Sequence, residues 1–255
     1  MSRPLAPPPV LRPTLDDDER QLIVAVVGPA DDRWVRPLRD ARGQEFERLE
    51  FVGDSVLDVV LAVHALAEPS CPRCRSVDGH VTRLATDARL GRQARTLGLG
   101  EWLEWEASDD RLADLVEACA AVSFLAGSWS QVVSYINTVV HPMTQRTGDL
   151  LARGWAGADP PTARRGVGSA LLELAAALTV FSRVPDADEG ELSTRRAALH
   201  RASRVADHAR QRHLVDGHGN DSVVSDRVEV LLASELLRGG ADAAVQQAVT
   251  VLVEQ

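Results

Sequence analysis

Glu47, Glu50, Asp54 and Asp58 interrupt an apolar run between Glu45 and Leu61, EFERLEFVGDSVLDVVL. Their offsets of three, four and four residues place all four carboxylates on one helical stripe, flanked by Phe51, Val52, Val56 and Leu57. Like charges so arranged repel, and burial beside apolar side chains adds a desolvation cost unless a cation, several hydrogen bonds or raised pKa values offset it. A bound hard metal ion accounts for the pattern most simply. The bland alternative is the wet face of an amphipathic helix, with Arg48 paired to Glu47 or Glu50. A second acidic pair, Asp114 and Glu117, lies three residues apart in the otherwise apolar segment Arg111–Gly127. Two helices with acids at such spacing can bring Glu50, Asp54, Asp114 and Glu117 together into an oxygen-only cage, and such ligands suit Mg²⁺ or Mn²⁺. Hard cations held by carboxylates are an apparatus for phosphodiester hydrolysis that needs no serine, cysteine or histidine nucleophile.

The elements that must hold these acids read as helices. From Val52 to Val63 apolar residues recur on helical spacing, with no breaker until Pro69. Ala107-Ser-Asp-Asp110 gives an N-cap signal for the segment that carries Asp114 and Glu117. Further helices are expected over Asp16–Val27, Val81–Leu97 and Ser128–Val140, whereas residues 1–14 are a proline-rich tail. Few aromatics and few alternating runs accompany a composition rich in Ala, Leu, Val and Arg, so the expectation is an all-α protein.

Composition narrows the function classes. Hydrophobic content of 45% and charged content of 25% are those of a globular protein, and 255 residues suffice for two domains, each with a core. The formal charge of -9 argues against nucleic-acid binding by bulk electrostatics, although bound divalent cations would reverse the local field. Cys71, Cys74 and Cys119 form no disulfide framework, and Cys71-Pro-Arg-Cys74 with His80 lacks the second ligand pair of a structural zinc site. No signal peptide and no apolar run near the ~20 residues of a membrane span is evident, so a cytoplasmic location is expected. His200, His208, His213 and His218 read as surface residues without chemistry, and Arg164, Arg165, Arg195, Arg196 and Arg201 as solvated helix faces.

The pattern starts over after a linker at 148–159 that carries Gly148, Gly154 and Gly157 and runs into Pro160-Pro161. A shift of 115 residues sets Gly53-Asp-Ser-Val-Leu-Asp58 on Gly168-Ser-Ala-Leu-Leu-Glu173, and sets Leu84, Arg89, Ala94, Arg95 and Leu99 on Leu199, Arg204, Ala209, Arg210 and Leu214. On that shift Glu47, Glu50 and Asp54 face Thr162, Arg165 and Ser169. With Asp110-Arg111 set near Asp226-Arg227, Asp114 and Glu117 face Glu229 and Leu232 or Val230 and Ala233, so the second copy is expected to lack the acidic site.

Glu47-Arg-Leu-Glu-Phe-Val-Gly-Asp-Ser-Val-Leu57 closely resembles the signature of the ribonuclease III domain, E-R-L-E-F-L-G-D-S-x-L, and Leu112-Ala-Asp-Leu-Val-Glu117 resembles that family's second acidic motif. Pro185-Asp-Ala-Asp-Glu-Gly-Glu-Leu-Ser193 and Arg196-Ala-Ala-Leu199 look like the stretch that follows the signature in many members. The resemblance implies an all-helical, Mg²⁺-dependent endoribonuclease acting on double-stranded RNA. By position Glu50, Asp54, Asp114 and Glu117 would be catalytic metal ligands, Glu47 an auxiliary acid, and Phe51 the aromatic that buries into a dimer partner. Residues 15–147 would form the catalytic domain and 160–255 a degenerate one, as an intramolecular pseudodimer with one active centre unless two chains pair as a homodimer. An unrelated helical domain at 160–255 is the plainer alternative.

Four departures from the family pattern stand out. No double-stranded RNA-binding domain is recognisable after the nuclease-like part, the threonine-histidine stretch before the signature is not evident, Asp87 replaces a common asparagine, and Gly166 stands opposite Phe51. A competing expectation is a non-catalytic RNA-binding or ribosome-associated scaffold, although such proteins usually lose the acids.

Overall fold

Helix α1, Gln44–Ala67, grows from the acidic apolar run. Gly53 is its one internal glycine, it contains no proline, and Glu45 and Glu47 in the first turn complement the helix dipole. Burial almost all round, from Phe46 to Ala67, makes it a core helix instead of a surface one. The computed structural model describes residues 37–38, 43–68, 77–99, 107–154 and 161–253. Within them the regular structure is helical throughout: α2 (Val77–Leu84), α3 (Asp87–Thr96), α4 (Asp109–Leu125), α5 (Trp129–Val139), α6 (Gln145–Arg153), α7 (Pro161–Arg183), α8 (Glu189–Leu199), α9 (Ala202–Gln211), α10 (Asp221–Gly239) and α11 (Ala241–Leu252). The protein is all-α, as composition led us to expect.

The order of elements repeats. Helices α1 to α5 and α7 to α11 each run long, short, short, long and closing, with α1 packed on α4 and α7 packed on α10. Two glycines fix the pairing of the long helices. A Cβ on Gly53 would lie 1.8 Å from the Glu117 carbonyl oxygen, and one on Gly168 would lie 1.9 Å from that of Glu229. Only a residue without a side chain lets the backbones approach so closely. The caps agree, since Ser108 accepts from the Arg111 N–H at the start of α4 and Asn220 accepts from the Val223 N–H at the start of α10.

These contacts correct the sequence register. The connection from α9 to α10 is three residues shorter than that from α3 to α4, so Asp114 and Glu117 correspond to Asp226 and Glu229. Neither register read from the sequence gives this pairing, because both set Asp110-Arg111 on or within one residue of Asp226-Arg227 and took the loop as nearly constant in length, whereas loops absorb such changes. The second copy therefore keeps two acids that the sequence reading took as lost.

Four further expectations change. The single helix over Val81–Leu97 is two, because Thr86 adopts an extended backbone and starts α3 afresh. Residues 145–153, placed partly in the linker, form α6: Thr144 caps it, and Leu150 and Leu151 are buried against α1 and α10. Arg165–Arg183 is long and apolar enough to cross a membrane, contrary to the sequence reading, yet its apolar residues pack against α1, α10 and α11. His208 is buried with Nδ1 2.8 Å from the Val251 carbonyl oxygen, where a surface residue was expected. The segments 16–27 and 71–74 lie outside the described residues.

Arg48 joins the halves. It does not pair with Glu47 or Glu50. Its guanidinium donates to the carbonyl oxygens of Phe181 (2.7 Å), Val184 (2.6 Å) and Ala187 (3.3 Å), and lies 4.7 Å from the Phe181 ring centre. These are carbonyls at and beyond the C-terminus of α7, which a helix leaves without intrahelical partners. A continuous core runs from α1 through α7 to α11.

Candidate metal centre

α1 and α4 cross where Gly53 meets the backbone of Glu117, and that crossing brings the two acidic motifs together. Glu50, Asp114 and Glu117 each offer a carboxylate oxygen, all within 4.8 Å of one another, in half-buried positions. Asp54 lies one turn beyond Glu50 and close enough to Glu117 to raise its pKa, but it stands outside that trio. Its carboxylate accepts a 3.2 Å hydrogen bond from Arg196 of α8, whose guanidinium also reaches Ser55 at 3.0 Å and Glu173 at 3.7 Å. Glu47 is a turn before Glu50 and adds to the negative field on it. Phe51 is buried, with the Arg196 guanidinium 4.9 Å from its ring centre.

The acids are electrostatically costly as they stand. Burial first, then Asp54, Glu50, Asp114 and Asp87, push Glu117 up to about 9. Burial and then Asp114, Glu189 and Glu47 push Glu50 up to about 8, with Arg111 pulling the other way. Burial also raises Asp114, although Arg111 donates to it at 3.0 Å and limits the rise. Carboxylates held protonated by one another and by desolvation are the groups a cation would ionise. An all-oxygen donor set fits a hard divalent ion such as Mg²⁺ or Mn²⁺ and offers nothing to a thiophilic one.

No family model matches the chain. Over 93 residues it is 34% identical to Ribonuclease 3 of Actinobacillus pleuropneumoniae serotype 5b (strain L20), covering 32% of this chain and 42% of the relative. Ribonuclease 3 of Glaesserella parasuis serovar 5 (strain SH0165) is 32% identical over 93 residues with the same shares. The chain thus spans less than half the length of these curated relatives. A solved structure of Giardia Dicer matches the fold with a TM-score of 0.62 at 13% identity, across 83% of this chain and 54% of that one. The chain is similar to ribonuclease III in sequence and to Dicer in fold.

Four residues around this acidic cluster were not assigned to it from sequence. Asp87 and Glu189 stand in the first turns of α3 and α8, exposed, and their charges reach Asp114. Arg111 sits one turn before Asp114 on α4, so its i, i+3 spacing was a readable signal. Arg196 and Glu189 come from the second half, about 140 residues distant in sequence from Asp54 and Glu50, and no local spacing announces them.

Proposed function

We propose that this ribonuclease III-like chain is a divalent-metal-dependent endoribonuclease that hydrolyses phosphodiester bonds in double-stranded or hairpin RNA, with one active centre per chain. The observation that carries the reading is the convergence of Glu50, Asp114 and Glu117 from two distant helical segments within 4.8 Å. Glu50, Asp54, Asp114 and Glu117 are the residues that would hold Mg²⁺ or Mn²⁺, with Glu47 as an auxiliary acid. A hard cation there supplies Lewis acidity toward a phosphate oxygen and lowers the pKa of water.

The chain's own residues do the rest. Gly53 sets the spacing of α1 and α4, and so the separation of the two acidic pairs. Arg111 holds the Asp114 carboxylate, and Arg196 holds that of Asp54. Residues 15–147 carry the centre in this reading and 160–255 serve as its pseudodimer partner, meeting it through Phe51, Arg48 and Arg196. Recognition of an A-form duplex relies on shape, phosphates and 2′-hydroxyls, so an overall acidic chain can bind it through local patches and bound cations.

The test is cleavage of an end-labelled RNA duplex with Mg²⁺ or with EDTA. The proposal expects metal-dependent cutting, abolished by Glu117→Ala with little loss of RNA binding. Binding without cleavage, unchanged by Glu117→Ala, would point instead to an RNA-binding scaffold.

A further inference from the structure

The two halves present the same backbone frame with different charges on it. Gly168 against Glu229 reproduces Gly53 against Glu117, and the cap at Asn220 reproduces that at Ser108, so each site position has a counterpart. Asp226 and Glu229 on α10 stand where Asp114 and Glu117 stand on α4. Three residues before the glycine, where α1 has Glu50, α7 has Arg165, and one residue after it, where α1 has Asp54, α7 has Ser169. The guanidinium of Arg165 donates to Asp226 at 3.1 Å and lies 3.8 Å from Glu229. Four acids in the first half become two acids and one arginine in the second.

We infer that residues 160–255 retain the frame of a divalent-cation site in which Arg165 takes the place of the cation, so that exchanging Arg165 and Ser169 for acids would create a second metal site in this chain. A guanidinium beside two carboxylates offsets one of their two charges with hydrogen bonds, and its own positive charge stands where an ion would have to sit. Two features favour reversibility. The contact that sets the helix spacing is intact, and it rests on Gly168, which the substitutions leave alone. Arg165 and Asp226 are both about half exposed, so their pair contributes little to folding and its removal leaves the half standing.

The inference rests on the reading of the first-half acids as a metal centre, and the test separates the two. Mn²⁺ binding to the full chain is counted by titration calorimetry and by the loss of free Mn²⁺ signal in electron paramagnetic resonance. The wild type gives a stoichiometry that Glu117→Gln removes; if the wild type binds no Mn²⁺, the first reading fails by itself. The Arg165→Glu, Ser169→Asp double variant is expected to double that stoichiometry. Adding Asp226→Asn is expected to lower the affinity of the new site at least tenfold while leaving the first untouched. A folded double variant with wild-type stoichiometry overturns the inference.

Arg165→Met serves as the second variant should the double one not fold. It removes the Arg165 guanidinium from beside Asp226 and Glu229, and is expected to show extra weak Mn²⁺ binding, and a melting temperature raised by Mn²⁺ in a Glu117→Gln background. Arg165→Met in that background with no response to Mn²⁺ overturns the inference as well.

Discussion

Replacing Glu117 by Gln keeps the side chain's size and removes the carboxyl group that the site makes hardest to ionise. Glu117 is raised from 4.5 to about 9, chiefly by burial and then by Asp54, Glu50 and Asp114. Its folded-state pKa lies above its unfolded one, so the fold binds the proton more tightly, and stability is full below about 4.5 and falls as pH rises toward 9. At pH 7 the unfolded chain has released this proton and the fold has not. That gap of about 2.5 pH units, at about 1.4 kcal/mol each, lowers stability by about 3 kcal/mol at most. Glutamine suffers no such loss, so Glu117→Gln is expected to be more stable than wild type by roughly 1–3 kcal/mol at pH 7 in EDTA, a rise in Tm of roughly 2–10 °C. The gain should shrink toward zero near pH 4.5. Saturating Mn²⁺ should reverse the order, because an ion present at about 100 times its Kd stabilises the wild type by about 2.7 kcal/mol and the variant far less. Thermal unfolding followed by circular dichroism at pH 4.5, 7 and 9, with EDTA or Mn²⁺, reads all of this. A Tm difference that is the same at every pH, or equal stabilisation of both proteins by Mn²⁺, would refute the reasoning.

Gly53→Ala places a methyl carbon 1.8 Å from the Glu117 carbonyl oxygen; it should cost about 3 kcal/mol in urea unfolding and weaken Mn²⁺ binding by moving α4 off α1. Arg48→Ala removes the donor to three carbonyls around the C-terminus of α7 and should cost about 3 kcal/mol, read as a lower urea midpoint, whereas an unchanged midpoint would deny that Arg48 links the halves. The proposed single centre implies nicking, so on a duplex labelled on both strands a chain shown to be monomeric by sedimentation should cut one strand per encounter. Simultaneous scission of both strands by that monomer would contradict a single centre.

Much of this site was readable from sequence because its constraints are local. Glu50, Asp54, Asp114 and Glu117 stood out as acids inside apolar helical runs, and helical spacing put each pair on one face. Phe51 was expected to bury into a dimer partner; in the structure it is buried within the chain, with the Arg196 guanidinium 4.9 Å from its ring centre. What was missed depends on the third dimension or on loop length. Arg48 looked like a partner for its neighbours, yet it reaches carbonyls more than 130 residues away that only the packing of α1 on α7 brings near. The connection before α10 hid the equivalence of Glu117 and Glu229, which became visible only through the glycine contacts. Residues 148–153, at the start of the expected linker, carried Gly148 and read as a break, but Leu150 and Leu151 had a core to enter and a threonine cap to start from.

The most direct measurement is the anomalous scattering of Mn²⁺ in crystals of the wild-type protein. A peak is expected within coordinating distance of Glu50, Asp114 and Glu117, with Asp54 turned toward it, and none beside Asp226 and Glu229. Crystals equilibrated with millimolar Mn²⁺ that show no density between α1 and α4, or show it only beside α10, would contradict the assignment of the first-half acids as the metal centre.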